Sequence, residues 1–267
     1  MEIIGYLASI LIGISLGLIG SGGSILTVPL LVYFFHVSPL LATTYSLAIV
    51  GLSSIAGVIS RLKQKLVDFK TIFIFGIPSI IGVFSSRKFI LPAIPELIYD
   101  GPAILVTKSH FIMLFFATLM LAAALSMILG KNKKEQEGVL PVYGLSLILV
   151  GFGEGSLTGI VGAGGGFLII PALVLLAKLP MKKAIATSLV IISIKSLVGF
   201  TGDLLHTAVD WSFLSKIILL ATLGIITGNY LNKKMEGAKL KKGFGFFVLA
   251  MAIIIFIEQF FFSNFIK

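Results

Sequence analysis

Gly22-Gly23-Ser24 and Gly164-Gly165-Gly166 each stand directly before an apolar run, residues 25–35 and 167–177. The first amides of a helix have no partner within it and sit at the positive end of its dipole. Without side chains in the way, an anion can approach them closely. A glycine cluster inside an apolar stretch is also where a membrane helix can break, turning freed amides toward a solute. The competing reading is that these glycines only let helices pack closely. Gly20, Ser21, Gly22, Gly23 and Ser24, with Gly162, Ala163, Gly164, Gly165 and Gly166, form the candidate anion seat.

Two charges fall inside apolar segments. Lys195 lies near the middle of segment 180–202, where a charge costs several kcal/mol (roughly 3 on insertion scales) and faces the bundle interior or a wet cavity. It is either the counter-charge for an anion or the partner of Glu154 or a carbonyl. Glu154, in Gly153-Glu154-Gly155, precedes the second cluster by eight residues. A carboxyl in an apolar site can carry a proton near neutrality, as coupled transport requires. It could equally sit at a wet helix end or neutralise Lys195. The hydroxyls of Thr43-Thr44-Tyr45-Ser46 and of Thr187-Ser188 could line a polar path or bond back to the preceding turn. Of these, Ser46, Thr187 and Ser188 join the candidate site.

The remaining polar residues read as structural. Asp68 and Asp210 each precede an aromatic residue and a new apolar span, the pattern of a helix N-cap, and Trp211 suits the membrane interface. His36 and His206 are isolated, so no metal site and no cofactor are expected. No nucleophile and base stand at a spacing that implies hydrolysis, which argues against an enzyme.

These residues must be positioned by membrane helices. The 267-residue chain is 57% hydrophobic with mean hydropathy +1.11, and apolar segments run at about 3–35, 39–60, 71–91, 110–130, 139–177, 180–202, 211–231 and 243–264. The net charge of +10 comes from short basic loops beside these segments, which is orientation signalling rather than a nucleic-acid surface. There is no cysteine, and the first residues lack the basic start of a signal peptide.

The sequence repeats itself. An offset of 142 aligns residues 13–86 with 155–228 without a gap and gives 19 identities, among them Gly13/Gly155, Gly17/Gly159, Pro29/Pro171, Ser54/Ser196 and Asp68/Asp210. Segment 3–35 would be about 50 Å long as one helix, against a hydrocarbon core of about 30 Å, so a hairpin broken near residues 20–23 fits better. With hairpins, loops 61–70, 131–138, 178–183 and 231–243 share one side and hold 15 of the 21 Lys and Arg residues. That side is the cytoplasm. The expected fold is therefore an all-α polytopic membrane protein of two inverted repeats, 1–131 and 139–267, in a single transport domain. Each repeat is a broken helix hairpin plus three transmembrane helices.

At the paired glycine motifs (20–29 and 162–171), the Ala186-Thr187-Ser188-Leu189 stretch and Val209-Asp210-Trp211, the chain resembles the TauE/SafE family of sulfite exporters over nearly its full length. Ser21 and Ser24 interrupt the glycines of the first motif, and the 92–110 loop is long. The resemblance implies a multi-pass inner-membrane carrier for sulfite or a small organosulfonate. The expectation is thus a secondary transporter working by alternating access, with both termini outside. A passive anion channel is the alternative, and a membrane enzyme a more remote one. The expected partners are a small anion, the lipid bilayer and protons, with no nucleic acid and with a homodimer left open.

Overall fold

The computed structural model describes residues 2–101, 105–129, 144–204, 208–232 and 237–259. The chain starts with α1 (Glu2–Ile19), passes through a 3-10 run (Gly20–Leu26), and continues as α2 (Thr27–Phe35). Then come α3 (Pro39–Lys63) and α4 (Phe69–Ala93). A ribbon of β1 (Leu97–Asp100) and β2 (Leu105–Thr107) leads to α5 (Lys108–Leu129). The second half has α6 (Leu145–Val161), α7 (Gly166–Leu175), α8 (Met181–Asp203), α9 (Trp211–Asn232) and α10 (Gly237–Ile257). The architecture is that of an all-α polytopic membrane protein. Helices α3, α4, α8 and α9, with residues 108–126 of α5, are long and apolar enough to cross a bilayer.

Both glycine-bearing segments fold back as hairpins. Phe35, at the end of α2, stacks edge-on against Tyr6 near the start of α1, with ring centroids 5.2 Å apart. Gly23 lies against Ser15 and Leu16 of the arm it has just left. In the second half, Leu147 near the start of α6 shares an apolar cluster with Leu173 of α7 and with Ala177. His36 and Lys178, 142 residues apart, close the second arms in matching left-handed conformations at φ 53° and 54°. Val37 N then donates to Leu31 O, and Leu179 N to Leu173 O, a C-terminal cap of the Schellman type.

The packing obeys the same offset of 142. Helix α1 lies on α9, and α6 on α4; α3 pairs with α8, and α5 with α10. At the first crossing, Gly13 meets Ala221 and Gly224, while Gly17 meets Ile225 and Gly228. At the second, Gly155 meets Ser79, while Gly159 meets Val83 and Ser86. Subtracting 142 from Ala221, Ile225 and Gly228 gives Ser79, Val83 and Ser86, and Gly82, the mate of Gly224, lies against Gly155. In both crossings the glycine lets one backbone rest on the carbonyls of the next, which membrane helices use in place of a hydrophobic driving force. On the pseudo-axis, Ser193 Oγ donates to the carbonyl of Gly51, its own repeat mate, at 3.1 Å. The outer faces of α4 and α9 expose Ile77, Ile81 and Phe84, and Leu219, Leu223 and Ile226. Again these are equivalent positions, and they are where lipid would lie.

The structure revises several sequence expectations. The 92–110 segment carries a small antiparallel ribbon pairing Leu97 with Thr107 and Asp100 with Leu105. The Asp68 and Asp210 caps form, with Asp68 Oδ1 accepting from Thr71 N at 2.8 Å and Asp210 Oδ1 from Phe213 N at 3.0 Å. Arg61, which the sequence places in the basic 61–70 loop, and Arg87 are buried at 3% and 2% exposure. Their apolar stems and polar partners draw them inward, so they belong to the interior. His206 and the whole 131–143 loop lie outside the described residues.

Candidate functional site

The two breaks differ in kind. Gly20 opens the first at φ +74°, against Ile185, and the chain continues as a 3-10 run through Ser21, Gly22, Gly23 and Ser24. Such a run bonds each amide to the carbonyl three residues back, and Thr27 N donates to Ser24 O. The first break therefore engages much of its own backbone instead of leaving a bare helix start. Ser21 and Ser24 interrupt the glycines here, and the backbone coils as a 3-10 run.

The second break is an open turn. Gly162, Gly164 and Gly165 all have positive φ (+71°, +67° and +73°), a conformation that side-chain-bearing residues adopt only under strain. Gly162 ends α6, with its N–H on Thr158 O at 2.8 Å, and Gly166 begins α7. Gly165 O accepts from Leu168 N and Ile169 N at 3.0 and 3.2 Å. Ala163 is fully buried, and Gly164 lies between Val50 and Ile192, a repeat-related pair on the pseudo-axis. The 3-10 run of the first break packs directly against α7, so the two breaks approach one another at the centre of the bundle.

Lys195 reaches the second break. Its Nζ is 2.5 Å from Glu154 Oε1 and 3.2 Å from Thr158 Oγ1, beside Gly165. Ser79 Oγ donates to the other carboxylate oxygen, Oε2, at 2.6 Å. The ion pair is shut off from solvent, with side-chain exposures of 0% and 4%. Of the two roles open to Lys195, the structure thus realises the pair with Glu154. Three helices contribute: Ser79 from α4, Glu154 and Thr158 from α6, Lys195 from α8. The equivalent places related by the repeat hold Ala221, Ile12, Leu16 and Ser53. The charged chemistry belongs to one break only.

The hydroxyls divide. Thr187 Oγ1 accepts the amide of Asp68 at 3.0 Å, and Tyr45 Oη, its repeat mate, accepts that of Asp210 at 2.8 Å. Both tether a helix start rather than line a path. Ser188 Oγ donates back to Ile185 O at 2.9 Å. Ser46 is buried, and its hydroxyl has no hydrogen-bond partner among the described residues.

Sequence reasoning passed over Arg87. Eight residues beyond Ser79 on α4, it lies in a π-helical turn, Ser86–Ile90, a widening of the helix often found at functional sites. Its Nη1 donates to Asp203 Oδ2 at 2.7 Å and to Thr43 Oγ1 at 3.1 Å, and Thr44 Oγ1 donates to the same Asp203 oxygen at 2.7 Å. Its Nη2 faces Gly162. Ser79/Arg87, Glu154/Gly162 and Lys195/Asp203 are each eight residues apart on one helix, about 12 Å. The second break is thus bracketed by two buried ion pairs at two depths. A signal existed in the sequence, since Arg87 is the repeat mate of Asn229, within the same run of polar span ends as Arg61 and Asp203.

Broken hairpins facing each other inside a bundle of apolar spans define a multi-pass membrane protein of the transporter class. The chain belongs to the TauE/SafE family: the model described as "Sulfite exporter TauE/SafE" matches residues 5–255. A probable membrane transporter protein of Xylella fastidiosa (strain 9a5c) is 30% identical over 252 residues, covering 92% of this chain and 91% of the relative. The probable membrane transporter protein YunE of Bacillus subtilis (strain 168) is 30% identical over 239 residues, covering 82% and 84%. The probable membrane transporter protein MJ0441 of Methanocaldococcus jannaschii is 29% identical over 212 residues, covering 73% and 71%. No solved structure matches the chain.

Proposed function

We propose that this chain is a secondary transporter that exports a small sulfur oxyanion, sulfite or an organosulfonate, by alternating access between inverted halves in the inner cell membrane. The observation that carries the reading is the buried Lys195–Glu154 pair seated on the second glycine break. An ammonium there can exchange its carboxylate partner for an anion, and the released carboxyl can take a proton. Transport of the anion and of a proton are then coupled at one place. The family description, sulfite exporter, supports the substrate class.

Burial favours a carrier over an open pore. Ser24, Ala163 and Lys195 have no solvent exposure, so the site must open to one side at a time. Charge supports an orientation with both termini outside. With Arg61 and Arg87 withdrawn to the interior, the four basic loops still hold 14 Lys and Arg residues, against Lys88, Lys108, Lys216 and Lys267 toward the opposite side.

The test is sulfite flux into liposomes containing purified protein. A saturable rate that responds to an imposed pH gradient is expected, and Glu154→Gln should remove the pH response. A rate that never saturates and carries single-channel current would identify a channel instead.

A further inference from the structure

We propose that Arg87 is a second oxyanion-binding residue, resting on the carrier reading above, which holds two oxygens of the solute on its Nε–Nη2 edge at the second glycine break. A guanidinium has two usable edges, and the one formed by Nε–H and the adjacent Nη2–H presents two parallel donors. That fork matches the spacing of oxygens on a sulfite, sulfonate or carboxylate group. In this structure the opposite nitrogen, Nη1, does all the internal bonding, to Asp203 and Thr43. Nε and Nη2 have no hydrogen-bond partner among the described residues, on a side chain with no solvent exposure.

Buried donors are satisfied in native proteins, and an unsatisfied edge on a charged group is among the costliest exceptions. Two structural roles are available to Arg87, and neither uses this edge. As a plain ion pair, Arg87 would turn its fork toward Asp203; the carboxylate instead grips Nη1 alone, through one oxygen that also accepts from Thr44. As a helix cap, it would donate to the terminal carbonyls of α6, yet Nη2 lies against Gly162 without such a bond. Asp203, Thr43 and Thr44 therefore hold the guanidinium in place and leave its recognition edge without a hydrogen-bond partner.

Gly162 completes the site. A methyl at this position would collide with Thr43 and with Nη2, and the positive φ of +71° itself demands glycine. A solute at Arg87 would sit at the rim of the break, about two helical turns from Lys195. Both cations are paired, Lys195 with Glu154 and Arg87 with Asp203, but Arg87 keeps two donors unused. That arrangement suits sequential capture on the way out, with Lys195 first and Arg87, toward the outer end of α4, second. The burial of Arg87 suits a small solute rather than a lipid headgroup phosphate with the same oxygens.

The experiment uses the full chain in liposomes, with sulfite as the transported probe and methanesulfonate, acetate and chloride as competitors. Wild type should be inhibited by methanesulfonate and acetate, which offer two oxygens, and little by chloride, which offers one atom. Arg87→Lys keeps the charge but loses the fork, and should raise the half-saturating sulfite concentration about tenfold and abolish the preference over chloride. Unchanged half-saturation and competition order in a folded Arg87→Lys protein would overturn the assignment. If that variant does not fold, equal competition by chloride in wild type overturns it just as well. Should wild type carry no sulfite and bind none of these anions, the carrier reading itself fails, a result distinct from the loss of Arg87 alone.

Discussion

Arg61 and Asp203 occupy the same place in the two halves, 142 residues apart near the ends of α3 and α8, and they carry opposite charges. Arg61 Nη2 lies 3.3 Å from Asn229 Oδ1 and 3.3 Å from the carbonyl of Gly17, while Asn232 reaches the neighbouring carbonyl of Leu18. Asp203 receives Arg87 at 2.7 Å. Asn229 and Arg87 are themselves repeat mates. One packing position is thus closed by an ion pair in one half and by long neutral hydrogen bonds in the other. A buried guanidinium with only neutral acceptors recovers little of its desolvation cost. The end near Arg61 is therefore the one that separates more easily.

Asn229→Asp should remove that inequality. It gives Arg61 the carboxylate that Arg87 already has, in nearly the same volume. Thermal unfolding should shift upward by a few degrees, on the order of 1 kcal/mol of stability. Flux should slow, because the easier gate now costs more to open. A lower unfolding temperature with faster flux would show that Arg61 needs no counter-charge.

The Lys195–Glu154 pair makes a sharper prediction. Removing one member leaves the other as an unpaired buried charge, so Lys195→Met or Glu154→Ala should each cost about 3–5 kcal/mol. The double variant Lys195→Met/Glu154→Gln should regain most of that stability while remaining inactive in sulfite flux. Chemical denaturation or thermal shift in detergent reads the first effect and liposome flux the second. A double variant as unstable as the singles would mean that packing, not charge, holds this region together.

Neighbouring glycines on α6 should respond very differently to a methyl group. At Gly155 a Cβ would strike the carbonyl of Ser79 on α4, whereas at Gly153 it would meet nothing within 4 Å. Gly155→Ala should therefore force α4 and α6 apart and cost about 1–3 kcal/mol or more. Gly153→Ala should be neutral or slightly stabilising, by up to about 1 kcal/mol in a helix interior. Gly13→Ala, against Ala221, should behave like Gly155→Ala. Equal tolerance at 153 and 155 would be inconsistent with the close helix crossing.

Most of the architecture was legible because duplication and hydropathy both act through spacing along the chain. The glycines at 13, 17, 155 and 159 stand where helices must touch, and the clusters at 20–23 and 162–165 mark the turns of the hairpins. What escaped was set by three-dimensional encounter. Arg87 reads as a loop base until the π turn and Asp203 draw it beneath Gly162. Similarly, Ser21 and Ser24 look like mild interruptions, yet the first break coils as 3-10 helix where the second stays open. The position of Thr187 in a span suits either a solute path or a backbone bond, and its hydroxyl accepts from the backbone of Asp68, a residue 119 positions away rather than in the preceding turn.

The role of Thr187 is testable against its twin. Tyr45 holds the amide of Asp210 as Thr187 holds that of Asp68, so Tyr45→Phe and Thr187→Val each strip one acceptor from a helix start. Each should cost about 1 kcal/mol. The two tethers share no partner, so their effects should add within about 0.5 kcal/mol in the double variant. Thr187→Ser, which keeps the hydroxyl, should retain wild-type stability. A structural tether also predicts that Thr187→Val leaves the half-saturating sulfite concentration unchanged at temperatures where the protein is folded. A raised half-saturation with undisturbed stability would return Thr187 to the solute path.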